Sequence, residues 1–437
     1  MKRYAHVMIA ALAPVFMVMP GVHAADDPEP PLTDTEYDLI SWLSEREDEM
    51  SLLLEQLTNI NSGSLNREGL DAVAAILSRE LASLDFETRS LPGGLIELPH
   101  CAGNDAGLNL ADHVLATRTG EGSSLLLMGH MDTVFPPESR FQRFERHGDM
   151  LQGPGVYDMK GGLVIMLYAL KALHQHGLLE NRPVTVLLNS DEEVGSLSSR
   201  VYLEELALRH DYGLVFEGSV NNNQIRQRKG LGQVHLVVNG RASHAGSAHQ
   251  DGRSAIREMA HKIIEMENMT DYESGVTVNV GLVSGGEARN MVAPCAQISV
   301  DLRYPLPEQG LAAEARFREI AATHYAFPDG SGDIVSDLWV SLHRPPKIPT
   351  PESDYLLWRT ITIGRLLGEQ IGVSDSGGGT DGSLTQAVGL PTLDSLGLIG
   401  SGGHSEREVV RVDSIVQTAR RAALLMHRLM QEDPEGS

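Results

Sequence analysis

Apolar residues recur at helical spacing through residues 34–59, where Leu39, Trp42 and Leu43 are followed by Leu52, Leu53, Leu54 and Leu57. That pattern predicts helix, and a second helix is expected over 65–84. Beyond it the rhythm changes to short unbroken apolar runs that each end in polar residues. The run 124–128 (SLLLM) leads into Gly129-His130-Met131-Asp132, and 184–188 (VTVLL) leads into Asn189-Ser190-Asp191-Glu192-Glu193. Residues 214–216 lead into Glu217, and 392–396 lead toward His404. Runs of this kind read as strands buried on both faces. Helical segments at 159–175 and 196–208 lie between several of them. Alternation of strand and helix predicts an α/β fold with a mostly parallel sheet, its loops gathered at the carboxyl ends of the strands.

The middle of the chain has a different rhythm. Residues 231–239 alternate as a half-buried strand, and 252–267 are helical. The stretches 276–283 and 297–304 form a pair of strands, 311–324 return to helix, and 335–343 are extended. The order β-α-β-β-α-β matches a split-βαβ, ferredoxin-like α+β unit. Residues 353–437 then revert to helix, strand and helix, so this unit interrupts the first. The expected division is a first domain in two parts, 32–230 and 343–437, around an inserted domain at 231–342.

At 437 residues the chain is long enough for more than one domain, and 41% apolar with 22% charged residues is ordinary for a globular enzyme. Thirty-five Lys and Arg stand against 59 Asp and Glu, a formal charge of −24. Such a surface repels phosphate backbones and anionic lipid, which argues against nucleic-acid or membrane partners. Lys2 and Arg3 precede an apolar run at 7–19, and Val22-His23-Ala24 offers small residues at the cleavage positions. Residues 1–24 are therefore expected to be a secretory signal cut after Ala24, giving a secreted, periplasmic protein. Cys101 and Cys295 are the only cysteines. An exported protein could bridge them, but they fall in different predicted domains and are read here as two unpaired thiols.

The polar residues at the strand ends carry the chemistry. His130, Asp132, Asp158, Glu192, Glu193, Glu217 and His404 are far apart in sequence but converge if their strands are parallel neighbours. Mixed imidazole and carboxylate ligands suit Zn²⁺, with Co²⁺ or Mn²⁺ as substitutes. If one carboxylate bridges, the set holds a metal pair, an arrangement suited to polarising a carbonyl and activating water. Each residue also has an innocent reading. Asp158 could cap the helix that follows it, and the paired glutamates could be a solvated loop. The coincidence of several strand ends delivering ligand-type residues to one edge favours the metal site, and Gly129, Gly161, Gly162, Gly195, Gly218, Gly402 and Gly403 flank them as tight loops require.

The runs GHMDTV (129–134), YDMKGG (157–162), SDEEVG (190–195) and GHS (403–405) resemble the motifs of the co-catalytic zinc exopeptidases. That family includes aminoacylases, acetylornithine and succinyl-diaminopimelate deacylases, and glutamate carboxypeptidases. The finer likeness is to the folate-cleaving glutamate carboxypeptidases, carried by Phe216-Glu217, the run 377–381 and the run 394–398. The resemblance implies that His130 and Glu217 hold one zinc, Glu193 and His404 the other, and that Asp158 bridges both. It makes Asp132 the carboxylate that orients His130, and Glu192 the general base that takes a proton from water and passes it to the leaving amine. His244 resembles the family histidine that reaches across a homodimer, formed through the inserted lid, to polarise the scissile carbonyl. Asn290, Arg344 and the loop with Gly378, Gly379 and Thr380 resemble groups that bind the substrate's α-carboxylate. One departure stands out. At the place where the glutamate carboxypeptidases carry a basic residue for the side-chain carboxylate this chain has Ile225, with Arg226, Arg228 and Lys229 close by.

The expected activity is thus hydrolysis of the amide bond to a C-terminal amino acid, with an N-acyl amino acid deacylase or aminoacylase as the alternative. Residues 377–382 (GGGTDG) also satisfy G-x-G-x-x-G, but a dinucleotide fingerprint opens the first βαβ unit rather than a late loop, so an NAD-linked oxidoreductase is disfavoured. A secreted binding protein that has lost the chemistry is the remaining class, and the complete set of ligands and base argues against it.

Overall fold

The computed structural model describes residues 30–101, 107–327 and 334–432. The expected signal segment 1–24 lies outside them. Among the described residues no helix is long and apolar enough to cross a membrane.

A six-stranded sheet organises the first unit, in the order Glu87–Leu91, His113–Arg118, Val184–Asn189, Leu125–His130, Tyr212–Val215, Thr392–Leu393. The last four run parallel to one another, while His113–Arg118 is antiparallel to both its neighbours. Leu125–His130 and Val184–Asn189 are buried along their whole length, as strands covered on both faces must be. Alternate residues sort between the layers. Leu125 and Leu127 join the larger core with helices Asp34–Ser44, Glu47–Thr58, Arg67–Ala82, Lys160–Gln175 and Ser414–Leu429. Leu126 and Met128 face the other way, onto Leu203 and Ala207 of helix Arg200–Ala207 and Leu384 of helix Gly382–Ala387. Such sites sit at close-packed density, and Leu127→Ala is expected to cost about 2–5 kcal/mol.

The helical stretch 34–59 is divided in two. Arg46 breaks it with a non-helical backbone (φ −123°, ψ 22°). Its guanidinium lies 3.7 Å from the Trp42 ring centroid and donates to the Trp42 carbonyl at 2.6 Å. The side chain thus closes the first helix at the point where the second begins.

The inserted segment forms its own four-stranded sheet, in the order Thr277–Gly285, Cys295–Tyr304, Gly230–Asn239, Val335–Arg344, with every neighbour antiparallel. Helices Ala255–Glu267 and Pro307–Ala322 complete the β-α-β-β-α-β order and share a separate core with Val234, Leu236, Val238, Ile298, Val300 and Leu302. Strand Cys295–Tyr304 alternates strictly between half-buried and buried positions, the period expected of a sheet with one covered face. The segment enters and leaves at one end, where Leu231 pairs with Arg344.

At the opposite end the cysteines are not free. Cys101 and Cys295 form a disulfide with a Cα–Cα distance of 5.8 Å, which corrects the reading of two unpaired thiols. The reason lies in the path of the chain. The segment before Cys101 runs onto the inserted sheet, where the Cys101 amide donates to Gln297 Oε1 at 2.9 Å. Residues in different units are therefore neighbours.

Candidate active site

The carboxyl edge of the parallel strands collects the predicted ligands. His130 ends its strand, Glu217 lies two residues beyond Tyr212–Val215, and Glu192 and Glu193 occupy a 3₁₀ turn, Glu192–Val194, just past Val184–Asn189. Asp158 lies in the loop before helix Lys160–Gln175. Gly162, in the first turn of that helix, allows it to approach closely, since a Cβ there would fall 1.8 Å from the Phe216 carbonyl oxygen. The short paired strands Gly400–Ser401 and Val409–Arg411 carry His404 in the turn between them.

Asp158 is the centre of the cluster. Its Oδ1 is 3.1 Å from His130 Nε2, and its Oδ2 is 3.2 Å from His404 Nε2. Each histidine then faces a second carboxylate. His130 Nε2 is 3.7 Å from Glu217 Oε1, and His404 Nε2 is 3.1 Å from Glu193 Oε2. His130, Asp158 and Glu193 offer ligand atoms that all lie within 4.8 Å of one another. His130 is buried, whereas His404 is 60% exposed, so the cluster opens to solvent on the His404 side.

Asp132 is fully buried and works on two fronts. Its Oδ1 lies 3.3 Å from His130 Nδ1, whose hydrogen also has the Asp132 carbonyl at 3.0 Å. The same carboxylate accepts from the backbone amides of Glu192 and Glu193 at 3.2 and 3.1 Å, and from Ser64 Oγ at 2.7 Å. One side chain thus registers a predicted ligand histidine against the loop of the predicted base. Asp191 pins that loop from its other end by accepting from Ser198 and Ser199 amides at 2.7 and 3.2 Å. This also explains why the helix expected from 196 begins only at Arg200.

The electrostatics of the cluster favour a cation. Burial and the neighbouring Asp158 push Glu193 up to about 8, and the same two causes raise Glu217 well above the usual carboxylate range. Burial alone would lower His130, but its bonds to Asp132 and Asp158 raise it strongly, and contacts with Asp158 and Glu193 push His404 up to about 11. Carboxylates outnumber cations in a low-dielectric site, so protons stand in for positive charge. Imidazole nitrogen and carboxylate oxygen, with one carboxylate presenting a separate oxygen to each histidine, fit a metal pair chemically.

Glu192 stands beside this cluster. Its Oε1 is 2.7 Å from Arg344 Nη2, and burial raises its carboxyl above the usual value while Arg344 opposes the shift. Arg344 is buried at the end of the inserted sheet. The same Nη2 donates to the Glu192 carbonyl and Ser196 Oγ, both at 2.8 Å, and lies 3.5 Å from Asp381 Oδ1. The glycine loop abuts it, since a Cβ at Gly379 would lie 2.9 Å from Arg344 Cδ. Arg228 Nη1 donates to the Gly379 carbonyl at 3.1 Å, Gly378 N donates to Ser376 Oγ at 3.0 Å, and Thr380 Oγ1 accepts from Gly382 N at 3.4 Å.

Other predicted residues lie elsewhere. His244 and Asn290 are exposed on two adjacent turns of the inserted segment. His244 Nδ1 accepts from Gly246 and Ser247 amides at 3.1 Å, and Ala245 N donates to the Asn290 carbonyl at 3.0 Å. The cationic neighbours of Ile225 are all engaged. Arg226 pairs with Asp354 through two contacts of 2.7 Å, Arg228 is buried against Asp394 at 2.5 Å, and Lys229 donates to the Gly275 carbonyl at 2.6 Å. Sequence reasoning missed Ser64, Asp381 and Glu408. Asp381 stood inside a motif already singled out, and Glu408 is a lone buried acid four residues after His404.

A model of the peptidase family M20/M25/M40 matches residues 126–428. The chain belongs to that family. It is 32% identical over 380 residues to carboxypeptidase G2 of Pseudomonas sp. (strain RS-16), covering 85% of this chain and 87% of that one. It is 28% identical over 337 residues to acetylornithine deacetylase of Edwardsiella ictaluri (strain 93-146), covering 72% and 83%. Human carnosine dipeptidase 1 shares the fold with a TM-score of 0.70 at 14% identity, over 91% of this chain and 100% of that one. As a member of the family the chain is a metal-dependent hydrolase, and His130, Asp158 and Glu193 form a group able to hold a metal ion.

Proposed function

We propose that this chain is an exported dizinc exopeptidase that cuts the amide bond to a C-terminal amino acid. The observation that carries the reading is Asp158, whose two oxygens face different histidines beside Glu192. In the proposed ligand set His130 and Glu217 would hold one ion, Glu193 and His404 the other, and Asp158 would be shared. Zinc bound there would supply Lewis-acid polarisation of the carbonyl and lower the pKa of water. The chain's own groups do the rest. Glu192 moves the proton from the attacking water to the leaving amine, and its raised pKa suits both halves of that transfer. Asp132 holds His130 and the Glu192 amide in register.

Recognition of the α-carboxylate is assigned to Arg344, Asn290 and the loop of Gly378, Gly379 and Thr380, with His244 delivered by the lid of a partner copy. The division into 32–230, 231–342 and 343–437 goes with this reading, and the crossing at Leu231 and Arg344 supports it. Homodimerisation is supported by the edge strand Thr277–Gly285, where Leu282 and Val283 are exposed, and by exposed Ile256 and Ile264 on the neighbouring helix. Export to the periplasm is supported by the leader pattern in 1–24 and by the Cys101–Cys295 disulfide.

The alternative, an N-acyl amino acid deacylase, draws on one observation: Arg226, Arg228 and Lys229 are committed to other partners, which leaves Ile225 at the place of the glutamate-binding base. Hydrolysis of a panel tests both readings, using pteroyl-glutamate, acetylornithine and N-acyl amino acids ending in Glu, Asp, Ala, Leu and Arg, with zinc-loaded and chelator-treated protein. Chelator-sensitive release of glutamate above the rest supports the carboxypeptidase, and preference for another residue supports the deacylase. No turnover by zinc-loaded protein on any member overturns both.

A further inference from the structure

We propose that Glu408 is a positioning residue for Asp158, fixing the backbone of the carboxylate that faces both histidines. The proposal rests on the reading of Asp158 as the shared metal ligand. Asp158 lies in an irregular loop between strand Met150–Gln152 and helix Lys160–Gln175, so no strand ladder fixes its backbone. Glu408 Oε1 does so by accepting the amide hydrogens of Tyr157 and Asp158 at 2.9 and 3.0 Å. Its side chain is fully buried. Burying a carboxyl group to satisfy amides that a backbone carbonyl could satisfy is expensive, so the arrangement calls for a return beyond local folding.

The return is geometric. Glu408 sits in the same turn as His404, between strands Gly400–Ser401 and Val409–Arg411, and the second of these pairs with Met150–Gln152. The turn is braced by the Glu408 amide donating to the Ser405 carbonyl at 3.1 Å, and by Gly153 N donating to the Glu408 carbonyl at 3.4 Å. One rigid turn therefore grips Asp158 twice: through its amide by Glu408, and through Oδ2 by His404 at 3.2 Å. From the opposite side Lys160 Nζ anchors the start of the next helix, donating to the Leu57 and Ile60 carbonyls at 3.0 and 2.9 Å. Any slip of the loop displaces a ligand shared by both ions.

The test uses the full chain with Glu408→Ala, Glu408→Asp and Glu408→Gln, stripped of metal and titrated with zinc against a chromophoric chelator. Wild type and Asp158→Asn run alongside. Gln keeps an oxygen acceptor at the same reach and is expected to hold wild-type metal affinity. Ala removes the acceptor, and Asp draws it back by one methylene. Both are expected to lose about 10–100-fold in affinity for zinc, with kcat of the reloaded enzyme falling more than KM rises. The Asp variant carries the test if the Ala variant does not fold. Unchanged zinc affinity in a folded Ala or Asp variant overturns the proposal even if melting temperature drops, and so does a Gln variant as weak as Ala. Wild-type affinity in Asp158→Asn overturns the metal reading itself, a failure distinct from that of Glu408.

Discussion

The two parts of this molecule treat their proposed functional residues in opposite ways. On the main sheet the chemistry is buried and cross-braced: Asp132 alone joins His130, Ser64 and the Glu192–Glu193 amides. On the inserted sheet, His244 and Asn290 stand exposed on turns tied to each other through the Ala245 amide and the Asn290 carbonyl. Arg344 is the exception, because it sits where the two parts meet and already contacts Glu192. A group that must hold a metal pair needs fixed geometry before substrate arrives. A group that recognises substrate can be completed later, by closure or by a partner. The difference matches the general division between rigid scaffolds and functional loops.

The largest expected effect falls on the rigid side. Glu192→Gln should retain zinc and lose about 10²–10⁴-fold in turnover. Zinc content by elemental analysis together with kcat checks it, and loss of zinc in this variant would make Glu192 a ligand rather than the base. Next comes the tie between the parts. Replacing both cysteines by serine removes a cross-link spanning 194 positions, worth about 5 kcal/mol by loop-closure entropy. A large drop in melting temperature is expected, reproduced in wild type by reductant. Unchanged melting would show that the inserted sheet is held by its other contacts. Asp132→Asn should cost about 10–100-fold in zinc affinity or activity, because it weakens the hold on His130 without removing a ligand. Chelator competition measures this, and unaltered affinity would confine Asp132 to bracing the Glu192 loop.

The same contrast governs what the amino-acid sequence reveals. Strands 125–130 and 184–189 are legible because burial on both faces demands an unbroken apolar run, and parallel pairing then sends the polar residues after each run to one edge. His130, Glu192, Glu193 and Glu217 follow from that logic, whereas Asp158 and His404 come from a loop and a turn beside a separate antiparallel sheet and are legible only through their motifs. Glu408 is legible by neither route, since its role depends on a turn that folds back over strand 150–152 and carries no periodicity. The disulfide is not legible in the sequence, because proximity of Cys101 to Cys295 depends on the route of an irregular segment. Arg344 is legible as a cation at the end of an inserted strand, but its contact with Glu192 depends on how the inserted sheet meets the main one. The split of 34–58 turns on Arg46 reaching back four residues to the Trp42 carbonyl, a local side-chain contact that the apolar spacing does not encode.

The smallest expected effect sharpens the question of substrate. Arg226 lies beside Ile225, close to where a glutamate side chain would be read, and is the natural candidate to replace the missing basic residue. Its guanidinium is nevertheless held by both oxygens of Asp354, at 2.7 Å each, and the pair is partly exposed to water. Such a pair contributes about 0–1 kcal/mol to stability, so neither folding nor activity depends heavily on it. Arg226→Ala should therefore leave kcat/KM for substrates ending in Glu and in Leu nearly equal to wild type, and the ratio of the two unchanged. A selective rise in KM for glutamate substrates alone would mean that Arg226 leaves Asp354 when substrate binds. In that case a recognition group would have been hidden in an ion pair on the main sheet's own side, and the contrast between braced chemistry and exposed recognition would no longer hold.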